Sequence, residues 1–134
     1  LRLGVMIEVP SAVLLIRELA ARVAFVSIGT NDLTQYLFAA DRTNARLARY
    51  QQATHPAVLR AIAAVVDGAH GSGIQVAVCG ELAGDPAGAR LLAGLGVDEL
   101  SMGYRSIGPV AEALSTVTMA DLATAARAAL VEPG

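Results

Sequence analysis

Four short strand-like runs, the first three rich in Val and Ile, constrain this chain most. They are LGVMIEV (3–9), AFVSIG (24–29), QVAVCG (75–80) and DELSMG (98–103). Each is strand-sized, and each is followed by a stretch that reads as helix. Strand and helix alternating in this way require parallel strands joined by right-handed crossovers. Four such units build either a small open sheet or half of an eight-stranded barrel, and spacing alone does not choose between them.

The helix signals are local. Pro10 and Ser11 announce the first helix, with Ser11 expected as its N-cap, running on through LLIRELAARV. The second strand leads into a long connection expected to hold two short helices, LTQYLFAA and NARLARY. A longer helix then opens at His55-Pro56, with Pro56 in the first helical position, and ends at Gly71 or Gly73. Asp85 caps the next one, Pro86 begins it and Gly96 stops it. Two helices over about 107–115 and 120–131 complete the chain, the second favoured by its alanines.

Within a strand, residues two apart share a face. Val5 and Ile7, Val26 and Ile28, and Val76 and Val78 form one bulky, β-branched set suited to packing under helices. Met6 and Glu8, then Ser27, Gly29 and Asn31, then Ala77, Cys79 and Glu81, with Glu99 and Ser101, form the other. That second set is small in the middle and polar at its C-terminal end, as a barrel interior with a reactive mouth would be.

Parallel α/β proteins place their chemistry at the C-terminal ends of strands. Here those ends carry Glu8, Asn31, Asp32, Cys79, Glu81 and Ser101. Two carboxylates at similar height on adjacent strands, about 4.8 Å apart, repel unless they share a cation. Mg²⁺ suits Glu8 and Asp32, because it prefers oxygen and is often held by one or two carboxylates plus substrate phosphate. Taken singly, Glu8 reads as a cap or an ion-pair partner, Asp32 as the cap of a helix starting at Leu33 and Asn31 as a turn residue. Cys79 reads as a small core hydrophobe, although the Gly80-Glu81 that follows opens space for a ligand. Arg42, with Asp41 before it, would suit phosphate or carboxylate recognition if held over the mouth. His55 and His70 are given no chemical role.

Composition excludes several classes. Of the 134 residues, 54% are hydrophobic and 16% charged, with a net charge of −2, so neither disorder nor a nucleic-acid partner is expected. No apolar run approaches the roughly 20 residues of a membrane span, and no signal peptide is evident. The single cysteine rules out an internal disulfide framework, and a reducing cytoplasm is expected. The chain starts on a strand-like run without Met, which reads as a piece of something longer.

Several motifs together resemble a known family. MIEVPSA, FVSIGTNDLTQY, AADRTN, HPAVL, CGELAGDP and LGVDELSMG occur in this order in the phosphoenolpyruvate–protein phosphotransferases, enzyme I of the bacterial sugar phosphotransferase system. The resemblance covers about residues 3 to 131. Pyruvate phosphate dikinase and phosphoenolpyruvate synthase share the MIE, GTND and CGE elements, and a fragment of either is the alternative reading. AADRTN and CGELAGD side with enzyme I. A second alternative is a non-catalytic half-barrel that binds or dimerises without turnover.

What the resemblance implies is specific. The fold would be the C-terminal half of a TIM-type (β/α)8 barrel, four parallel strands with helices. The first half of the barrel and the N-terminal phosphohistidine domain would lie outside this chain. Glu8 and Asp32 would ligate Mg²⁺. Asn31, with neighbouring backbone amides, would hold the substrate carboxylate, and Asp32 would also belong to the substrate-binding set. Arg42 would contact the phosphoryl group, and Cys79 would protonate the enolate carbon as pyruvate forms. Glu81 and Ser101 would support these groups. The histidine-containing phosphocarrier protein would be served through the phosphohistidine domain. A homodimer is expected; no nucleic acid and no membrane is.

Overall fold

The computed structural model describes residues 1–41, 43, 44, 46, 47 and 52–131. Four strands, β1 (Gly4–Ile7), β2 (Phe25–Gly29), β3 (Gln75–Cys79) and β4 (Glu99–Ser101), pair in chain order. All three ladders are parallel. Consecutive parallel neighbours with intervening helices are the arrangement of half a (β/α)8 barrel.

Helices α1 (Pro10–Leu14) and α2 (Ile16–Ala20) follow β1. The sequence reads as one helix here, but the chain turns at Leu15, whose φ of −101° and ψ of 18° leave the helical region. Ser11 is not the cap. Val9 occupies that position with extended backbone and Pro10 takes the first helical place, so the fixed φ of proline, not a side-chain oxygen, starts the helix. Helix α3 (Thr30–Phe38) begins directly on β2, three residues before the expected start, and α4 (Pro56–His70) follows. Its cap is His55, whose Nδ1 accepts from the Ala57 amide at 3.1 Å. The short helix expected over 44–50 falls largely outside the described residues.

Helices α5 (Glu81–Gly84) and α6 (Pro86–Gly94) come after β3. Asp85 caps α6 as expected, accepting from the Gly88 amide at 2.7 Å, and Gly96 turns the chain with a φ of 91°. Helices α7 (Tyr104–Ser115) and α8 (Met119–Val131) end the described chain, α7 starting three residues ahead of expectation.

The core lies on one face of the sheet. Ile7, Val26, Ile28, Val76 and Val78 are fully buried against α4, where Val58, Ile62 and Val65 are equally inaccessible. Full burial of such a side chain contributes about 1.5–3 kcal/mol, so this layer holds the helices on the sheet. The other face is open. Met6 is 44% exposed and Phe25 37%.

The N-terminal end of the sheet is stapled by Asp98. Its Oδ2 accepts from the Val76 amide at 2.8 Å and lies 2.8 Å from His70 Nε2, while its own amide donates to Val76 O at 2.9 Å. Partial desolvation pushes the Asp98 carboxyl upward, but the Val76 amide bond and the hydrogen bond and charge of His70 outweigh it and hold the group below its ordinary value. Among the described residues no single helix is long and apolar enough to cross a membrane.

Candidate active site

Strand register fixes the height of the candidate groups. Gly29 pairs with Cys79 and Cys79 with Ser101. Ile7 pairs with Ile28, so Glu8, one residue on, reaches the level of Gly29. The residue matched to Glu8 is therefore a glycine, not a carboxylate. Asn31 and Asp32 are not on the strand; they occupy the first turn of α3. The expectation of two carboxylates at matched strand positions is corrected accordingly. The physical reason is that the β2–α3 connection has no loop, so the polar residues fall into helix at once.

The groups nevertheless converge. Met6, Glu8, Gly29, Asn31, Asp32, Cys79 and Gly80 line one hollow of about 210 Å³ at the C-terminal ends of the strands. Gly29 makes room for Glu8: a Cβ there would lie 3.0 Å from Glu8 Oε2 and 3.1 Å from Glu8 Cβ. A second depression of about 580 Å³ shares Asn31 and Gly80 and adds Glu81, Asp85, Ser101 and Ser106. A third, about 520 Å³, runs along the open sheet face past Met6, Ser27, Ala77 and Cys79 to Glu99 and Ser101. Glu81 and Ser101 thus stand beside the carboxylate hollow, both solvent-exposed. Arg42 lies outside the described residues. Asp41, expected to orient it, accepts from the Thr43 amide and hydroxyl, each at 2.8 Å.

Cys79 is half-buried and held by weak sulfur contacts. Ser27 Oγ donates to its Sγ at 3.7 Å, and the thiol faces Ile28 O at 3.6 Å and Met6 Sδ at 3.8 Å. Behind it, Thr30 is fully buried and donates its hydroxyl to the Cys79 carbonyl at 3.1 Å. The Glu81 amide donates to Asn31 Oδ1 at 3.3 Å. Sequence reasoning gave Thr30, Ser27 and Met6 no part in the site. Met6 and Ser27 were visible through strand alternation; nothing local distinguishes Thr30.

The donor set is chemically suited to a hard divalent cation. Glu8 and Asp32 bring only oxygen to one hollow, and Mg²⁺ commonly takes one or two carboxylates and completes its shell with water and substrate. Among the described residues no group of three or more His, Cys, Asp or Glu side chains is placed to hold a metal ion.

A parallel α/β half-barrel with an acidic, thiol-bearing mouth at the strand C-termini defines the class. The family described as PEP-utilising enzyme, PEP-binding domain, matches residues 1–119, and the chain belongs to that family. It is 45% identical over 129 residues to a protein of Salmonella typhimurium named phosphoenolpyruvate-dependent phosphotransferase system, covering 96% of this chain and 17% of that one. It is 49% identical over 128 residues to the multiphosphoryl transfer protein of Rhodobacter capsulatus, covering 96% and 16%. Over 102 residues it is 55% identical to the phosphoenolpyruvate-protein phosphotransferase of Borreliella burgdorferi, covering 76% and 18%. The chain thus spans less than a fifth of the length of these relatives.

Proposed function

We propose that this domain binds phosphoenolpyruvate with Mg²⁺ and serves a cytoplasmic phosphotransferase that passes the phosphoryl group to an enzyme histidine and on to a phosphocarrier protein, releasing pyruvate. The observation that carries the reading is the convergence of Glu8, Asn31, Asp32 and Cys79 on one hollow. Family membership supplies the substrate class. In this reading the chain is the second half of a (β/α)8 barrel, and the phosphohistidine domain and the remaining substrate-binding arginines belong to other parts of the enzyme.

Glu8 and Asp32 would hold Mg²⁺, which spreads the charge that develops on the enol oxygen as the phosphate leaves. Asn31 would orient the substrate carboxylate. Its Oδ1 is taken by the Glu81 amide, which leaves the NH₂ donors for an anion. Arg42 would neutralise the phosphoryl group, whose transfer needs positioning and charge rather than covalent help. Cys79 would deliver the proton to the methylene carbon, completing pyruvate. Glu81 and Ser101, beside the hollow, would order the turns around it.

Calorimetric titration with Mg²⁺ and oxalate, an enolate mimic, tests this. Saturable binding that disappears in Glu8→Ala and in Asp32→Ala is expected. Absence of oxalate binding at millimolar concentration would reject the reading.

For the 134-residue chain on its own, a second copy is proposed to take the place of the first barrel half against the open sheet. Both outer strands, β1 and β4, lack a further strand neighbour among the described residues. Met6, Ser27, Ala77 and Glu99 form one row across the sheet. A closed barrel of this type has a shear of about eight residues, so each half advances the register by about four. Four residues toward the N-terminus of a second β1 from Met6 is Arg2; four the other way is Pro10, already helical. Glu99 would therefore meet Arg2 of the second copy, an opposite-charge pair across the seam. Light scattering should give a dimer that Glu99→Arg weakens and the added Arg2→Glu change restores. A stable monomer at high concentration would exclude it.

A further inference from the structure

We infer that Thr30 is a positioning residue for the Cys79 thiol and the Asn31 amide, acting through an interlock between the β2–α3 and β3–α5 turns. The inference rests on the reading of Cys79 and Asn31 just given, and concerns how they are aimed. Two hydrogen bonds of opposite sense join the turns. Thr30 Oγ1 donates to the Cys79 carbonyl at 3.1 Å, and the Glu81 amide donates to Asn31 Oδ1 at 3.3 Å. Adjacent residues of one turn are thereby tied to residues flanking Gly80 in the other.

Three features make this a built lock. Thr30 is fully buried, and its own carbonyl accepts from the Thr34 hydroxyl at 2.7 Å, so its backbone is held from behind. Gly80 has a φ of 119°, a conformation that favours glycine. A Cβ on Gly80 would overlap Thr30 Oγ1 and lie 3.1 Å from Asn31 Oδ1, so only glycine lets the two turns approach this closely. Finally, Glu81 opens α5, and the first amide of a helix has no acceptor within the helix. Its bond to Asn31 satisfies that amide and turns the Asn31 NH₂ group to the hollow, because a backbone N–H can only meet the amide oxygen.

The lock acts on chemistry through direction. Removing the Thr30 hydroxyl loosens the Cys79 carbonyl at the last residue of β3, and with it the thiol that Ser27 and Ile28 hold only weakly. A rearrangement there also releases the Glu81 amide and lets Asn31 flip. Valine has the shape of threonine without the hydroxyl, whereas serine keeps the hydroxyl and loses a methyl. A hydrogen-bond role and a packing role therefore predict opposite winners.

Cys79 is the only cysteine in the chain, so alkylation by iodoacetamide reports it alone. In Thr30→Val the alkylation rate should change at least about threefold, the factor expected for loss of one hydrogen bond, and Thr30→Ser should restore it to within about twofold. Gly80→Ala should reproduce the valine phenotype. Parent-like alkylation in a folded Thr30→Val chain, or failure of serine to rescue, overturns the inference. If the valine chain does not fold, hydrogen exchange in the parent decides. The Glu81 amide should exchange at least about tenfold more slowly than an unstructured amide, and free exchange overturns the inference. Protection of Cys79 by Mg²⁺ and oxalate in the parent chain is read separately: its absence removes the substrate reading while the variant series still decides the interlock.

Discussion

The carboxylate of Glu8 lies over Gly29, so closely that a Cβ on Gly29 would sit 3.0 Å from Glu8 Oε2. The contact joins β1 to the residue from which α3 springs, and Glu8 and Asp32 line one hollow although the two are not register partners. Gly29→Ala should displace Glu8 while leaving both carboxylates in the chain. We expect Mg²⁺-dependent oxalate binding to weaken about tenfold, the effect of misplacing one ligand-supporting contact, as read by calorimetry. Unchanged affinity would separate Glu8 from metal binding.

Cys79→Ser keeps size and a donor but replaces a thiol by a much weaker acid. Oxalate binding should survive, since the Glu8 and Asp32 carboxylates are untouched. In a full-length enzyme carrying this domain, pyruvate release should fall about 10²–10⁴-fold, the range a positioned general acid supplies. Steady-state assays with coupled pyruvate detection would show it, and near-normal turnover would assign protonation to another group.

Asp98 predicts a pH dependence. Its folded-state carboxyl is held below the ordinary value by the Val76 amide and His70, against the opposing push of desolvation. A depressed carboxyl contributes stability above its unfolded value, about 3.9, and loses it as pH falls through the folded value. Asp98 is about a third exposed, so screening keeps the contribution below about 1 kcal/mol. Thermal melts should show Asp98→Asn less stable than the parent at pH 5–7, with the gap closing below about pH 4. A gap that does not narrow at all as pH is lowered from 5 through the acid range would mean the charge is not the cause.

Ile62 is fully buried on α4 against the sheet. Ile62→Ala should cost about 2–5 kcal/mol, a large part of the stability of a domain this size. Urea unfolding should show a lower midpoint at unchanged slope.

Much of this was legible in the chain itself. Four apolar runs separated by capped helices require parallel strands, and two-residue alternation correctly separated Ile7, Val26, Ile28, Val76 and Val78 from the open face. Pro56 and Pro86 mark helix starts because a fixed φ and a missing N–H act locally. Ser11 misled because Pro10 one residue earlier already starts the helix, so no side-chain oxygen is required.

What the sequence by itself determined is therefore the four strands and the longer helices between them, the buried face of the first three strands, and that Glu8 and Cys79 stand at the C-terminal end of the sheet. Period, propensity and capping depend on near neighbours and can be read from them. Only the tertiary structure decided that Asp32 belongs to a helix turn and still lines the same hollow as Glu8, that Thr30 bonds the Cys79 carbonyl 49 residues away, and that Gly80 must lack a Cβ to permit it. Those facts are distances between segments remote in sequence, set by strand register and by the packing of α3 and α5, and no local pattern encodes them.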